Sequence, residues 1–170
     1  MKKLLALAFT ILQIGLTNAQ QTENQTVNMF RNIPWGTHRD SISVDGVKLE
    51  FTKDKTSLLK NSYTVVNDNM SIGNVRLTKI NYIFNDENRF IKVLLEGPKE
   101  DAEQMKFILD YKFGVHKNES KVDNVSYKQW LVKDVTFTLG VFEFMRFEVK
   151  IESNWQASEA YKKNTSVDDF

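Results

Sequence analysis

Apolar and polar side chains alternate with a period of two along much of this chain, and that period predicts strands before anything else. Val47, Leu49 and Phe51 interleave with Lys48, Glu50 and Thr52, the pattern of a half-buried strand. Tyr63 to Val66 reads similarly but more weakly, and longer strands are predicted over about Val75 to Phe84 and Phe90 to Glu96. Pairing Tyr82 with Ile91 and Ile80 with Val93 puts the apolar residues of that hairpin on one face and leaves Asn85 to Asn88 as a turn of suitable composition.

The last strands constrain one another. Val135, Phe137, Leu139 and Val141 form one apolar row and Met145, Phe147, Val149 and Ile151 the next, all at odd positions, so only an odd-numbered loop brings both rows to one face. With Phe142-Glu143-Phe144 as that loop, Leu139 lies opposite Phe147, Phe137 opposite Val149 and Val135 opposite Ile151. A one-residue slip would expose a whole row. A turn at Lys133-Asp134 places Trp130 opposite Phe137 and Val132 opposite Val135, completing a meander. Its other face carries Thr136, Thr138, Arg146, Glu148, Lys150 and Glu152 and is expected to be wet.

After Pro98 the period changes. Ala102, Met105, Ile108, Leu109 and Phe113 recur at three- and four-residue spacing, with acids at the start and Gly114 at the end, which predicts a helix over Lys99 to Phe113 with one face buried. Thr37, with Asp40 three residues on, is the expected N-cap of a short helix through about Val44. His116 to Val125 reads as a polar connection, and Asn154 to about Asn164 as a terminal helix. The expected fold is therefore α+β in two layers, an antiparallel sheet with helices on one face. The order of elements raises two helix-plus-meander (αβββ) units, without a residue-level repeat behind them.

The amino terminus predicts an address. Lys2 and Lys3 precede an apolar run from Leu4 to Leu16 that ends at Thr17-Asn18-Ala19, a secretory signal over residues 1–19. That run is shorter than the roughly 20 residues a membrane span needs, and no second one follows, so no transmembrane segment is expected once the signal is removed. Residues 20–28 form a polar lead, 29–164 a single domain and 165–170 a disordered tail. Removing two of the 23 basic residues and none of the 22 acidic ones leaves a net charge of −1, without the basic excess that nucleic acid or a membrane surface demands. The chain has no cysteine, which excludes disulfides and thiol chemistry.

Catalytic chemistry is not legible. His38 and His116 lack metal-ligand or His-Asp spacing, no nucleophile motif surrounds Ser41 or Ser43, and the carboxylate pairs Glu100-Asp101 and Asp168-Asp169 sit where helix capping or solvation explains them. Asp86-Glu87-Asn88 lacks the glycine and distal acid of a calcium loop. No catalytic residue, metal or cofactor is therefore expected. Phe142 and Phe144 at a hairpin tip are candidate binding anchors unless the tip folds over the helix layer. Trp35, in a Pro-Trp-Gly run, is expected to anchor the first helix to the core if buried and to be a third interaction candidate if exposed.

The stretch from Phe30 to Ile42 (FRNIPWGTHRDSI) resembles the opening F-R-G-I-P-W-G-T-S-x-E-E-V of a family of uncharacterised secreted or periplasmic bacterial proteins. Tyr82-Ile83-Phe84-Asn85-Asp86 and Tyr111-Lys112-Phe113-Gly114 resemble that family's Y-x-F-x-D and L-x-x-x-Y-G segments, although Asn32 replaces a usual glycine and Phe113 intrudes before Gly114. The resemblance implies a helix-plus-meander fold, similar in layout to the tandem units of beta-lactamase inhibitory protein or TATA-binding-protein-like domains, and it carries over no catalytic residue. The functional expectation is a non-enzymatic secreted or periplasmic domain that binds a protein or envelope component. The alternative is a small hydrolase or ligand carrier whose site assembles only in the fold.

Overall fold

The computed structural model describes residues 27–154. The expected signal, residues 20–26 of the lead, residues 155–164 of the expected terminal helix and the tail all lie outside the described residues.

Two small ribbons begin the chain. β1 (Met29–Phe30) and β2 (Ile33–Pro34) are joined through Arg31 and Asn32, both at positive φ. β3 (Ser43–Val44) and β4 (Val47–Lys48) are joined through Asp45 and Gly46, at φ 52° and 78°. Asp-Gly favours this two-residue turn because both central positions need the left-handed region. The first strand of that hairpin takes the last two residues of the helix expected from Thr37 to Val44. Only a three-residue 3-10 turn, Arg39–Ser41, forms there, capped by His38 rather than Thr37, and the backbone is extended again at buried Ile42.

The main sheet has eight strands. β5 (Phe51–Lys53) and β6 (Ser62–Val65) lead to a third ribbon, β7 (Ser71–Ile72) with β8 (Val75–Arg76), then to β9 (Lys79–Phe84) and β10 (Phe90–Pro98). A 3-10 turn at Lys99–Asp101 runs into α1 (Ala102–Phe113), and β11 (Asn118–Val122), β12 (Val125–Val132), β13 (Val135–Phe142) and β14 (Arg146–Ser153) complete the chain. The order across the sheet is β11-β12-β13-β14-β10-β9-β6-β5, every pairing antiparallel. Two four-strand runs thus meet through their last strands, β10 and β14.

This corrects the fold class. Of the described residues 51% lie in strands and 14% are helical, with one α-helix among them, so the molecule is mostly β rather than a two-layer α+β domain. The pair of helix-plus-meander units fails for the same reason. The first run has no α-helix, and its core face is covered instead by side chains of the ribbons and their flanks, Ile33, Trp35, Ile42, Val75 and Leu77. The expected polar connection after α1 also proves to be largely strand: β11 is exposed along its whole length and pairs with β12 at the sheet's edge.

Two registers differ from expectation by two residues, and in each case the apolar rows still face the core. Leu139 lies opposite Val149, Phe137 opposite Ile151 and Val141 opposite Phe147, so the loop is Glu143 to Met145 and Phe142 ends β13. A two-residue slip conserves faces, so the hydrophobic pattern alone cannot choose between the alternatives. Packing against β10 does choose. Phe147 also lies opposite Gly97, where a Cβ would come within 2.5 Å of the Phe147 ring, so that ring uses the space glycine leaves open. In the other hairpin Tyr82 lies opposite Val93 and Ile80 opposite Leu95, because a bulge between Phe90 and Lys92 lets Phe90 and Val93 both reach the core. The Trp130–Phe137 and Val132–Val135 pairings are as expected.

The sheet's two outer halves are dressed differently. Over β9 the segment after β5 folds across: Asp54 accepts from Asn81 at 2.9 Å and pairs with Lys79 at 2.7 Å, and Ser62, Asn81 and Ile83 are buried. Over β14 a charged ladder stays in water, with Arg146 bonded to Glu148 and Lys150 paired with Glu152.

Candidate functional site

α1 is placed by its apolar stripe and by its last turn. Ala102, Met105 and Leu109 are buried against the sheet. Gly114 ends the helix at φ 79°, and the indole nitrogen of buried Trp130 donates both to the Gly114 carbonyl at 2.9 Å and to the Asp110 carboxylate at 3.1 Å. Lys106 meets the other Asp110 oxygen at 2.8 Å. Burial works against ionisation of Asp110, yet the hydrogen bonds from Lys106 and Trp130 prevail and hold its carboxyl below the usual range. His116 completes the cluster, its ring edge-on to Trp130 at 5.6 Å and its nitrogens 3.6 Å from Asp110 and 3.5 Å from Glu119. The arrangement clamps the helix to β12. No hydroxyl nucleophile joins it in the hydrogen bonds of the described residues, and no group of three or more His, Cys, Asp or Glu among them could hold a metal ion.

Fixed in this way, α1 presents an apolar outer face. Phe107 and Tyr111 are 62% and 86% exposed, and their rings stack on one another, centroids 6.3 Å apart and 18° from parallel. Val115, one turn further on, is also exposed. Glu103, exposed, and the Lys106–Asp110 ion pair border these rings on one side. Aromatic rings in water with a mixed polar border have the make-up of an interface centre rather than of an ordinary solvated helix face.

The three sequence candidates divide. Trp35 is buried, stacked on Phe90 at 4.7 Å, with its indole donating to the Val27 carbonyl at 3.0 Å. Phe142 is half-buried in β13 with the Arg146 guanidinium 4.9 Å from its ring centroid. Phe144 projects from the loop at 81% exposure, beside exposed Met145. The loop itself is held: the Glu143 amide donates to the Asn124 carbonyl at 3.0 Å, and the Lys99 ammonium donates to the Glu143 carbonyl. The tip is thereby tied to the turn that leads into α1.

Phe107 and Tyr111 were not among the sequence candidates, although the signal was available. At about 100° per residue, Phe107 falls roughly 200° from Met105, and Tyr111 the same angle from Leu109. Two aromatics four apart on the face opposite the core stripe are the readable mark of a helix that is apolar on both sides.

Comparison with known proteins gives no matching family model, no matching characterised protein and no matching solved structure. No helix among the described residues is long and apolar enough to cross a membrane.

Proposed function

We propose that the chain is a non-enzymatic secreted or periplasmic binding domain, and that it docks a protein of that compartment on the outer face of α1. The carrying observation is the stacked, exposed Phe107–Tyr111 pair on a helix whose other face and last turn are immobilised. A rigid aromatic anchor loses little freedom on binding, and truncating such anchors accounts for much of the loss in interface scans. The charge pattern favours a protein over a lipid surface. An interfacial membrane helix carries a basic stripe, whereas this face is bordered by acidic Glu103, and Lys106 beside it is neutralised by Asp110. Phe144 and Met145, exposed at the tethered tip, supply a second apolar contact near the start of the same helix. Secretion rests on the expected signal over residues 1–19.

Site-specific photocrosslinking on exported protein tests this. A crosslinker at position 107 or 111 should give one discrete adduct with a protein identifiable by mass spectrometry, and a crosslinker at Thr64, on the outer face of β6, should not. Equal labelling from both positions, or adducts with lipid alone, contradicts the reading. Amino-terminal mass analysis of the exported chain should begin at Gln20; an intact Met1 on exported soluble material contradicts the address.

A further inference from the structure

Between the inner face of α1 and the core face of the sheet lies a second feature, a cleft of about 250 Å³. Its walls are apolar, including Phe30, Trp35, Ile72, Leu109, Phe137 and Ile151, so water gains few hydrogen bonds there. Two cations also line it, Arg31 and Lys112, and no acidic residue does. Their charges are not equivalent. Arg31 is already neutralised by Asp68 and donates besides to the carbonyls of Asn69 and Ser71, at 2.5 and 3.0 Å. Lys112 forms no ion pair with another described residue; its ammonium lies 5.8 Å from the Phe113 ring centroid, an approach that leaves its charge uncompensated. An apolar cavity with one uncommitted positive charge complements an apolar chain with one negative charge.

We infer that this cleft binds a free single-chain amphiphile with a monoanionic head, its chain among the apolar walls and its head at Lys112. At about 30 Å³ for each water-sized group, the volume admits a chain of about eight carbons. Carboxylates of medium length fit; a two-chain lipid does not. Ile108 and Ile72 form part of its wall where the β7–β8 ribbon approaches the helix, a Cβ at Gly73 coming within 3.3 Å of the Ile108 methyl. This site uses the opposite side of α1 from the docking face, so it stands or falls separately.

Octanoate, 1-octanol and octylammonium, titrated into the mature chain and followed by methyl NMR, make the test. Octanoate should shift the methyls of Ile72, Leu109 and Ile151 saturably and bind roughly 5- to 10-fold more tightly than octanol, a factor that corresponds to about 1–1.4 kcal/mol for one charge interaction. Lys112→Glu should reverse the order in favour of octylammonium, and since Lys112 is exposed and unpaired the variant should fold. Ile108→Trp, which adds bulk to the cleft wall, should abolish the methyl shifts, while replacing Phe107 and Tyr111 should leave them intact. Absence of saturable shifts in the cleft, whatever fills it, overturns the inference. So does an unchanged order of affinity in Lys112→Glu.

Discussion

Two stacked aromatic pairs occupy opposite surroundings in this molecule. Trp35 on Phe90 is sealed in the core, its indole hydrogen-bonded, where the rings hold the N-terminal ribbons to the sheet. Phe107 and Tyr111 share that near-parallel arrangement at the exposed surface of α1, with centroids 6.3 Å rather than 4.7 Å apart. Stacking by itself therefore says little about purpose. What surrounds the rings decides whether an aromatic pair contributes stability or remains available to a partner.

The sharpest way to break the contrast is to remove a ring from the inner pair. Trp35→Ala should destabilise by about 3–5 kcal/mol, read as a lowered denaturation midpoint, because it deletes a buried ring and leaves a cavity. A change under about 1 kcal/mol would mean that the inner pair is no more structural than the outer one. Next in size is the helix's buried stripe: Leu109→Ala should cost about 2–5 kcal/mol, with the spread set by how far the neighbouring cleft collapses. Gly97→Ala tests the close approach of Phe147 and should cost about 1–3 kcal/mol through overpacking; indifference to the added methyl would place that ring elsewhere.

Acid sharpens the comparison differently, by loosening the clamp under the outer pair. The Asp110 carboxyl is depressed in the folded state, so the unfolded chain binds more protons as pH falls. Its stabilising contribution is full above the ordinary carboxylate range, near pH 4, and is lost as pH falls through the folded value. Asp110→Asn should accordingly flatten the acid limb of stability measured from pH 6 downward. A limb as steep as in the parent chain would show that other carboxylates govern it.

Much of this architecture was legible because it is local. The Lys133-Asp134 turn, the Trp130–Phe137 pairing and α1 with its Gly114 end follow from contacts between near neighbours in sequence. The two register shifts were not legible, because a slip of two conserves every face and the deciding contacts, Phe147 over Gly97 and Phe90 beside Val93, span distant segments or need a bulge. The Asp45-Gly46 hairpin could have been read from its turn residues, and those residues outweigh the cap signal at Thr37. The candidate site was legible only in part. Phe144 stands out as an aromatic at a hairpin tip, whereas the Ala102–Phe113 periodicity marks only the buried stripe and passes over Phe107 and Tyr111, and the cleft depends on ribbons that the apolar pattern does not position.

The central claim is that the outer pair serves binding and not stability, and one double variant measures both. Phe107→Ser with Tyr111→Ser should shift unfolding by no more than about 1 kcal/mol, since it removes only an exposed i,i+4 contact and some helix propensity. In the same preparation it should abolish binding to the protein identified by crosslinking from position 107. A loss of several kcal/mol with binding retained by the folded fraction would contradict the account.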